Sequence, residues 1–341
     1  MTYHDTSLIR VVVKLKVIFD LIIAVMTHKS AGSTKAFDPD KLSNSLRRLS
    51  FGLNKQYINI AQVLEKVTRG IAKTASEAEI IEFVAETLAT LASIHPHYAI
   101  LAARLEVNEL HKHLDGISFT KNLSQLLAVS RTAVKSKTSA DGLQKRQKLL
   151  RTPKKGVISQ EFYNLAKKYQ ERLDKAICPE RDYNFSYFGW KTLCQSYLIK
   201  NGNRVHETPQ FMFMRVALAI HGPFDDIDSV LKTYELMSKK YFIHASPTLF
   251  NAGTVNQYLS SCFLLGMAED SIDGIFKTLH KTALISKASG GIGIHSSNIR
   301  AKGSFVSGSN GISNGLVPML RVFNNTCLLY TSDAADELDG V

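Results

Sequence analysis

Cysteine is scarce in this sequence, and the positions of the few thiols exclude two kinds of site. Among 341 residues there are four cysteines, and no two of them form a Cys-x-x-Cys pair. A zinc site or a dense disulfide framework would need paired or more numerous thiols. Scattered thiols are typical of a reducing compartment. We therefore expect a cytoplasmic protein that binds no metal.

The sequence also lacks a long apolar run that is free of charge. The best candidate, residues 11–26, is interrupted by Lys14, Lys16 and Asp20. It is too short and too charged to span a bilayer, and no small-residue cleavage pattern follows it. We therefore expect a soluble chain without a membrane partner.

Signatures of nucleic-acid binding are missing too, although the chain is basic. The formal net charge is +12, and an excess of this sign usually indicates affinity for phosphate groups. Much of it lies in one polar stretch, residues 131–155, where nine Lys and Arg face the single Asp141. No helix-turn-helix or aromatic platform accompanies it. We expect no nucleic-acid partner, and salt-dependent DNA binding would support the opposite interpretation.

Residues 36–112 have the pattern of a small helical bundle. Asp38 and Pro39 form a helix start signal, with an N-cap acceptor followed by proline at the first helical position. Ser76 and Glu79 have the spacing of a capping box ahead of another apolar helix. Periodicity of this kind predicts a fold and no function.

The remainder of the chain predicts a different architecture. Residues 160–176 are helical by pattern, and the aromatic cluster at 183–190 suits a packed strand or turn. From residue 212 onward, helical patterns alternate with short apolar segments rich in glycine and serine. This mixture indicates an α/β domain.

Residues 241–326 contain the candidate chemistry, which taken locally leaves alternatives open. Ser271 can cap a helix over residues 272–286, and the first-turn N–H groups of such a helix bind anions. The glycine-rich run at 290–293 is either a simple turn or a close approach to a ligand, and it fits neither a Walker loop nor a G-x-G-x-x-G motif. Cys262 is either a small buried hydrophobe or a redox thiol.

Taken together, these segments resemble one family. The run contains F-N-A-G-T, L-S-S-C-F-L, S-G-G-I-G and N-G-L-V-P-M-L-R-V, and it is similar to the large subunit of eukaryotic-type class I ribonucleotide reductases. Residues 183–193 and 209–216 resemble the region that precedes the family's barrel. Residues 37–111, which include H-P-H-Y-A-I-L-A-A-R, resemble the helical part of its ATP-cone.

The resemblance implies an α/β fold, in which a helical ATP-cone-like domain precedes the first, incomplete part of a ten-stranded α/β barrel beginning near residue 212. The expected segments are an atypical amino terminus (1–35), the ATP-cone-like domain (36–112), a basic linker or insertion (113–160), the amino-terminal part of the barrel domain (161–326) and a foreign tail (327–341).

The resemblance also assigns roles to single residues. Cys262 matches the first cysteine of the redox pair that becomes a disulfide after each turnover. Ser246 and Ser261 match positions that hold the diphosphate and ribose of the substrate, and Gly291 matches a close approach of the backbone near it. Seven match the specificity site for a nucleotide effector: Asp270, Ser271, Ile272, Lys287, Arg300, Ser307 and Gly308. Two match phosphate-contacting positions of the ATP-cone: Lys41 and Lys112.

The family's activity implies several partners. Its large subunits reduce ribonucleoside diphosphates to deoxyribonucleotides by a thiyl-radical mechanism, under the control of ATP and deoxynucleoside triphosphates. They bind no cofactor directly, because a metal-containing small subunit supplies the radical. The resemblance further implies a homodimer, in which the helix at 272–286 packs against its twin, and thioredoxin or glutaredoxin as reductant. A nucleotide-sensing regulatory module without catalysis is the alternative.

Three departures from the family pattern modify these expectations. Residues 1–35 lack the β-hairpin of an ATP-cone, and Ile81 replaces an acidic nucleotide contact, so we expect activity control by ATP and dATP to be impaired. About twenty residues within 113–160 exceed the family's usual length. The resemblance ends at Thr326, and residues 327–341 can be back-translated into a sequencing-library adapter. Because the family's radical cysteine lies beyond that point, we expect these 341 residues alone to be inactive.

Overall fold

The structure, a computed structural model, describes residues 38–72, 75–135, 157–201, 204–288 and 290–330. The chain divides into two compact units, Met1–Glu106 and Val107–Val341. The predictions made for residues 1–35, for the tail from residue 331 and for most of the basic stretch at 131–155 lie outside the described residues.

The first unit is built from helices, as the apolar periodicity predicted. It comprises α1 (Pro39–Leu49), α2 (Ile60–Gly70), α3 (Glu77–Thr90), a 3₁₀ turn (Leu91–Ser93) and the first part of α4 (His97–His113). One apolar side of each helix faces a common interior and removes that surface from water. The fully buried side chains are Leu46, Val63, Val67, Val84, Leu88 and Leu101.

Both predicted helix start signals in this unit are confirmed. The Asp38 carboxylate accepts hydrogen bonds from the N–H groups of Asp40 and Lys41 at 3.0 and 3.1 Å. In the capping box, the Ser76 N–H donates to the Glu79 carboxylate at 2.7 Å, and the Glu79 N–H donates to Ser76 Oγ at 3.3 Å. These bonds satisfy amide groups that a helix itself leaves unpaired.

We predict that Ser76→Ala lowers the free energy of unfolding of the first unit by about 1 kcal/mol, because the N-cap acceptor of α3 is lost. Urea unfolding followed by circular dichroism measures the change. The control is Ser93→Ala, since Ser93 donates only to the carbonyl of Thr90 within the exposed 3₁₀ turn. Equal stability of Ser76→Ala and wild type would contradict the capping role.

The second unit begins with a larger helical assembly. Its helices are α5 (Phe119–Lys135), α6 (Gln160–Lys168), α7 (Gln170–Ala176), α8 (Tyr187–Thr192), α9 (Pro209–His221), α10 (Ile227–Ser238) and α11 (Ser246–Asn251). Shorter elements between them are 3₁₀ turns (Pro179–Asn184 and Gly222–Phe224), a π turn (Leu193–Tyr197) and a hairpin of β1 (Lys200–Asn201) and β2 (Arg204–Val205).

Helix α9 is the centre of this assembly and corrects one expectation. The α/β pattern was predicted to begin at residue 212, but residues 209–221 are helical and the first parallel strand begins at Cys262. Every residue from Pro209 to Leu218 is buried. A helix buried on all sides has an apolar run without helical periodicity, and such a run cannot be told from a buried strand by pattern.

Two further predictions differ from the structure. The linker assigned to 113–160 contains α5, whose Phe119, Leu123 and Leu126 are buried in the core of the second unit. The basic residues that follow obscured this apolar face. Of the strand or turn expected for the aromatic cluster at 183–190, the strand is wrong and the turn is met in part, because the cluster begins in a 3₁₀ turn and continues in α8, where Trp190 is buried.

A small β-α-β unit follows these helices. Strand β3 (Cys262–Gly266) pairs in parallel with β4 (Gly291–His295), and α12 (Ile272–Lys287) connects them. A hairpin of β5 (Phe305–Val306) and β6 (Gly311–Ile312) and the helix α13 (Leu316–Tyr330) complete the described chain. An ATP-cone-like helical region followed by part of an α/β domain was the predicted order. No described helix is both long and apolar enough to cross a membrane.

Candidate functional site

The parallel pair β3–β4 brings two predicted site residues together. Cys262 lies directly opposite Gly291 in the strand register, and the Gly291 N–H donates to the carbonyl of Ser261 at 2.7 Å. A Cβ at position 291 would approach that carbonyl to 3.3 Å and the Cys262 Sγ to 3.7 Å. Glycine therefore leaves the edge of the thiol open.

The predicted glycine loop at 290–293 is largely a strand, since Gly291 and Gly293 pair with Cys262 and Leu264. A Cβ at Gly293 would lie only 2.9 Å from the Leu264 side chain. The Cys262 thiol and Ser261 are exposed in this chain, so both are accessible to a ligand.

Ser246 is the first residue of α11, and its surroundings hold it near the start of β3. Its hydroxyl lies 2.8 Å from the Tyr197 hydroxyl. Thr248 Oγ1 donates to the carbonyl of Leu259 at 2.9 Å, and Asn251 Nδ2 donates to that of Tyr258 at 2.9 Å. These bonds tie α11 to the segment that leads directly into Ser261 and Cys262.

The other end of α11 is held by a buried ion pair. The Arg215 guanidinium donates to both carboxylate oxygens of Glu207, at 2.7 and 3.0 Å, and neither side chain is more than 1% exposed. Arg215 also donates to the carbonyls of Leu249 and Ala252. Arg215 therefore donates to two carbonyl groups at the C-terminal end of the helix that begins with Ser246.

His244 precedes Ser246 by two residues and is electrostatically unusual. Burial is the main cause that lowers the pKa of its imidazole, and the charge of His221 adds to it. Its Nε2 is buried and has no hydrogen-bond partner among the described residues. The neutral imidazole is therefore favoured next to the predicted diphosphate position.

A second group of predicted residues meets at the start of α12. Arg300 Nε donates to the Asp270 carboxylate at 2.6 Å, and its terminal nitrogens donate to the carbonyls of Asp270 and Phe305 at 3.3 Å. Both charged side chains are about one-third exposed. The arginine thus joins the loop before α12 to the β5–β6 hairpin, whose exposed turn contains Ser307 and Gly308.

The first turn of α12 is shaped by close packing. Ser271 caps the helix by accepting from the Gly274 N–H at 3.0 Å, as predicted. A Cβ at Gly274 would lie 2.6–2.7 Å from the backbone of Glu269, so no larger residue fits. Thr278 Oγ1 accepts from the Ala268 N–H at 3.1 Å. These contacts fix the loop that presents Asp270.

Lys287 is not brought to Asp270 within one chain. It lies in the last turn of the 16-residue helix α12, about 22 Å from the first turn at 1.5 Å per residue. Ile272 is 75% exposed at the opposite end, and Phe276 and Leu284 are 57% and 54% exposed. These three residues recur at spacings of four and eight and form an apolar stripe along one side of α12, which the exposed His280 interrupts between Phe276 and Leu284.

The two ATP-cone candidates lie in different elements. Lys41 is exposed in the first turn of α1, and its N–H donates to the Asp38 cap. Lys112 is in the last turn of α4 and forms an ion pair with Glu109. Ile81, at the position expected to be acidic, lies half-buried in α3.

Sequence reasoning missed Arg215, Glu207 and Tyr197, which shape the site from outside it. A signal for Arg215 was present, since it is the one charged residue between Pro209 and Leu218 in an otherwise apolar helix start. A charge in a buried helix needs a partner of opposite charge, so Arg215 by itself indicates a buried acidic residue. Nothing comparable in the sequence marks Tyr197.

Comparison with known families covers most of the chain. Three domain profiles match: the ATP cone domain at residues 26–113, the ribonucleotide reductase all-alpha domain at 183–257 and the ribonucleotide reductase barrel domain at 260–335. The last match extends past Thr326, and α13 continues to Tyr330. The adapter origin proposed for residues 327–341 stays a prediction.

Individual relatives agree with these matches. The ribonucleoside-diphosphate reductase large chain 2 of Saccharomyces cerevisiae is 43% identical over 298 residues, which are 87% of this chain and 32% of that protein. The large subunit of vaccinia virus is 45% identical over 306 residues, which are 89% of this chain and 36% of the viral protein.

A plant protein matches over a similar share. The large subunit of Arabidopsis thaliana is 44% identical over 300 residues, 87% of this chain and 34% of its own length. This chain therefore spans about a third of the length of the curated relatives it matches. The order of the three domain matches and the identities agree, and the chain belongs to the family of class I ribonucleotide reductase large subunits.

Proposed function

We propose that the protein to which this chain corresponds reduces ribonucleoside diphosphates to deoxyribonucleotides at C2′. The observation that carries the proposal is the register of β3 and β4, which sets an exposed Cys262 thiol opposite Gly291 and beside Ser261. A redox thiol needs open space for a substrate ribose and for a second thiol, and glycine at the facing position provides it.

In this mechanism Cys262 supplies part of the reducing power. Cys262 and a second cysteine lose two electrons and two protons and form a disulfide. One proton leaves with the 2′-hydroxyl as water, and the other proton and the two electrons form the new C2′–H bond. Thioredoxin or glutaredoxin would restore the thiols by exchange. A small subunit containing a metal centre would supply the radical. We propose the cytoplasm as the compartment, because the scattered cysteines need a reducing environment.

Reductase assays with the complete large subunit, the small subunit, a dithiol reductant and CDP test this proposal. Cys262→Ser is expected to lower steady-state dCDP formation at least a hundredfold, because no disulfide can form. Cys178→Ser is the control, since that thiol is half-buried near the carbonyl of Ala176 in the helical part. Unchanged turnover of Cys262→Ser would refute the redox role.

The 341-residue chain alone is expected to form no dCDP in the same assay, because it spans about a third of the length of the curated relatives it matches. Effector-dependent product from the chain alone would contradict this expectation. Nucleotide binding by a complete subunit that has no turnover would favour the regulatory-module alternative.

For the effector site we propose a homodimer formed through α12. The exposed apolar stripe of Ile272, Phe276 and Leu284 suits a helix-to-helix contact. If two copies of α12 pack antiparallel, Lys287 of one copy approaches Asp270 and Arg300 of the other. Lysine and arginine could then hold the phosphates of a nucleotide while Asp270 accepts from its sugar hydroxyl.

We predict that Phe276→Glu prevents the proposed α12 dimer, because two carboxylates would enter an apolar contact. Sedimentation velocity of the complete subunit with and without dTTP measures the effect. Lys232→Glu, an exposed position on α10, is the control and should still dimerise. A Phe276→Glu variant that dimerises like wild type would exclude α12 as the interface.

A further inference from the structure

Tyr197 occupies an unusual backbone element beside the predicted substrate site. Helix α8 continues into a π turn over Leu193–Tyr197, and Tyr197 is its last residue. Such single turns of π-helix are rare, and in proteins they are frequently found at functional sites. The extra residue that a π turn inserts changes the direction of the side chains that follow, and here it coincides with a tyrosine that reaches α11.

The Tyr197 side chain contacts both ends of α11. Its hydroxyl lies 2.8 Å from Ser246 Oγ at the first residue of the helix. Its ring packs on that of Phe250, one turn further along, with centroids 4.7 Å apart. The ring contact positions the phenol, because Arg215 holds this end of the helix through the carbonyls of Leu249 and Ala252, close to Phe250 in the chain. The hydroxyl pair therefore joins two rigidly packed elements.

One of the two hydroxyl protons of Tyr197 and Ser246 is not used in the hydrogen bond between them. Two hydroxyl groups carry two protons, and the hydrogen bond between them uses one. A phenol is the stronger acid of the two, so Tyr197 is the better donor and Ser246 the better acceptor in this bond. The Ser246 proton is then free to point away from Tyr197. Both residues are only half-buried, so a ligand can reach the serine.

We propose that Tyr197 is a positioning residue for substrate binding, which donates to Ser246 Oγ and so directs the Ser246 hydroxyl proton to a phosphate oxygen of the diphosphate. The inference rests on the proposed function, because the resemblance to the family matches Ser246 to a position that holds the substrate of that reaction. It adds a residue whose role is exerted through Ser246 and not by contact with the substrate.

A double-mutant cycle in the complete large subunit tests this inference. The variants are Tyr197→Phe, which keeps the ring on Phe250 and loses the hydroxyl, Ser246→Ala, and the two combined. The probes are inorganic pyrophosphate and CDP, measured by calorimetry. Tyr197→Phe is expected to weaken binding of both about fivefold to tenfold, the equivalent of one hydrogen bond. Adding Tyr197→Phe to Ser246→Ala should change nothing further.

Steady-state kinetics and a matched variant separate positioning from stability. Tyr197→Phe should raise KM for CDP by the same factor and leave kcat within about twofold of wild type. Tyr241→Phe is the control, because that tyrosine is 77% exposed. Thermal unfolding of each variant shows whether the fold is kept. If Tyr197→Phe does not fold, Tyr197→Trp takes its place, because it keeps an aromatic ring at this position and removes the hydroxyl; unchanged binding of pyrophosphate and CDP by that variant would overturn the inference.

Two results would overturn the inference. One is unchanged pyrophosphate and CDP binding by folded Tyr197→Phe. The other is an additive loss in the double variant, which would mean that Tyr197 contacts the anion itself. If the complete subunit binds pyrophosphate with the expected coupling but makes no dCDP, the proposed function fails and the positioning role stands.

Discussion

Replacing Arg215 with methionine is expected to lower the free energy of unfolding of the second unit by about 3–5 kcal/mol. The substitution preserves most of the side-chain volume and removes the charge. Glu207, which is 1% exposed, would then be buried without a cation. The carbonyls of Leu249 and Ala252 would lose their donor as well.

A surface ion pair gives the matched control for this prediction. Arg172 pairs with Asp228 in the same unit, but the two side chains are 51% and 84% exposed. Exposed pairs of this kind contribute about 0–1 kcal/mol, so Arg172→Met should change stability by less than 1 kcal/mol. Urea unfolding followed by Trp190 fluorescence measures both variants.

The double variant Arg215→Met, Glu207→Gln separates the buried charge from the lost carbonyl bonds. It should recover part of the stability, because the unpaired carboxylate is gone, while the carbonyls of α11 stay unsatisfied. Equal losses for Arg215→Met and Arg172→Met would contradict the structural role of the buried pair.

Gly274→Ala is expected to destabilise the second unit by about 1–3 kcal/mol, the range that overpacking produces. The direction of this change in stability is what tests the packing. Alanine in place of glycine within a helix usually stabilises it by about 0.5–1 kcal/mol. Here the new Cβ would lie 2.6–2.7 Å from the N and O atoms of Glu269, and backbone atoms cannot rotate away.

The same substitution should weaken effector binding. The displaced Glu269 precedes Asp270 and Ser271, and the loop between them carries the carboxylate that Arg300 holds at 2.6 Å. We expect the affinity of the complete subunit for dTTP to fall about tenfold, measured by calorimetry alongside urea unfolding. Gly266→Ala is the control, because a Cβ at this position in β3 would meet no other atom within 4 Å. A gain in stability for Gly274→Ala would contradict the packing described for this turn.

Local signals in the sequence were sufficient for the elements that depend on neighbours along the chain. Asp38, Ser76 and Ser271 were each predicted as helix caps, and each accepts the expected backbone hydrogen bond. An N-cap involves residues two or three positions apart, so its pattern is complete within a short window. The motifs around Cys262 likewise identified the family, which the domain matches show independently.

The sequence by itself thus determined three helix starts, the family and the candidate site residues. Only the tertiary structure decided that the glycine run at 291–293 is a strand, that α9 is buried on all sides, and that Arg215 and Tyr197 hold the two ends of α11. These features depend on contacts between residues distant along the chain. Whether an apolar or charged residue is buried, and against what, is set by those contacts and leaves no local pattern.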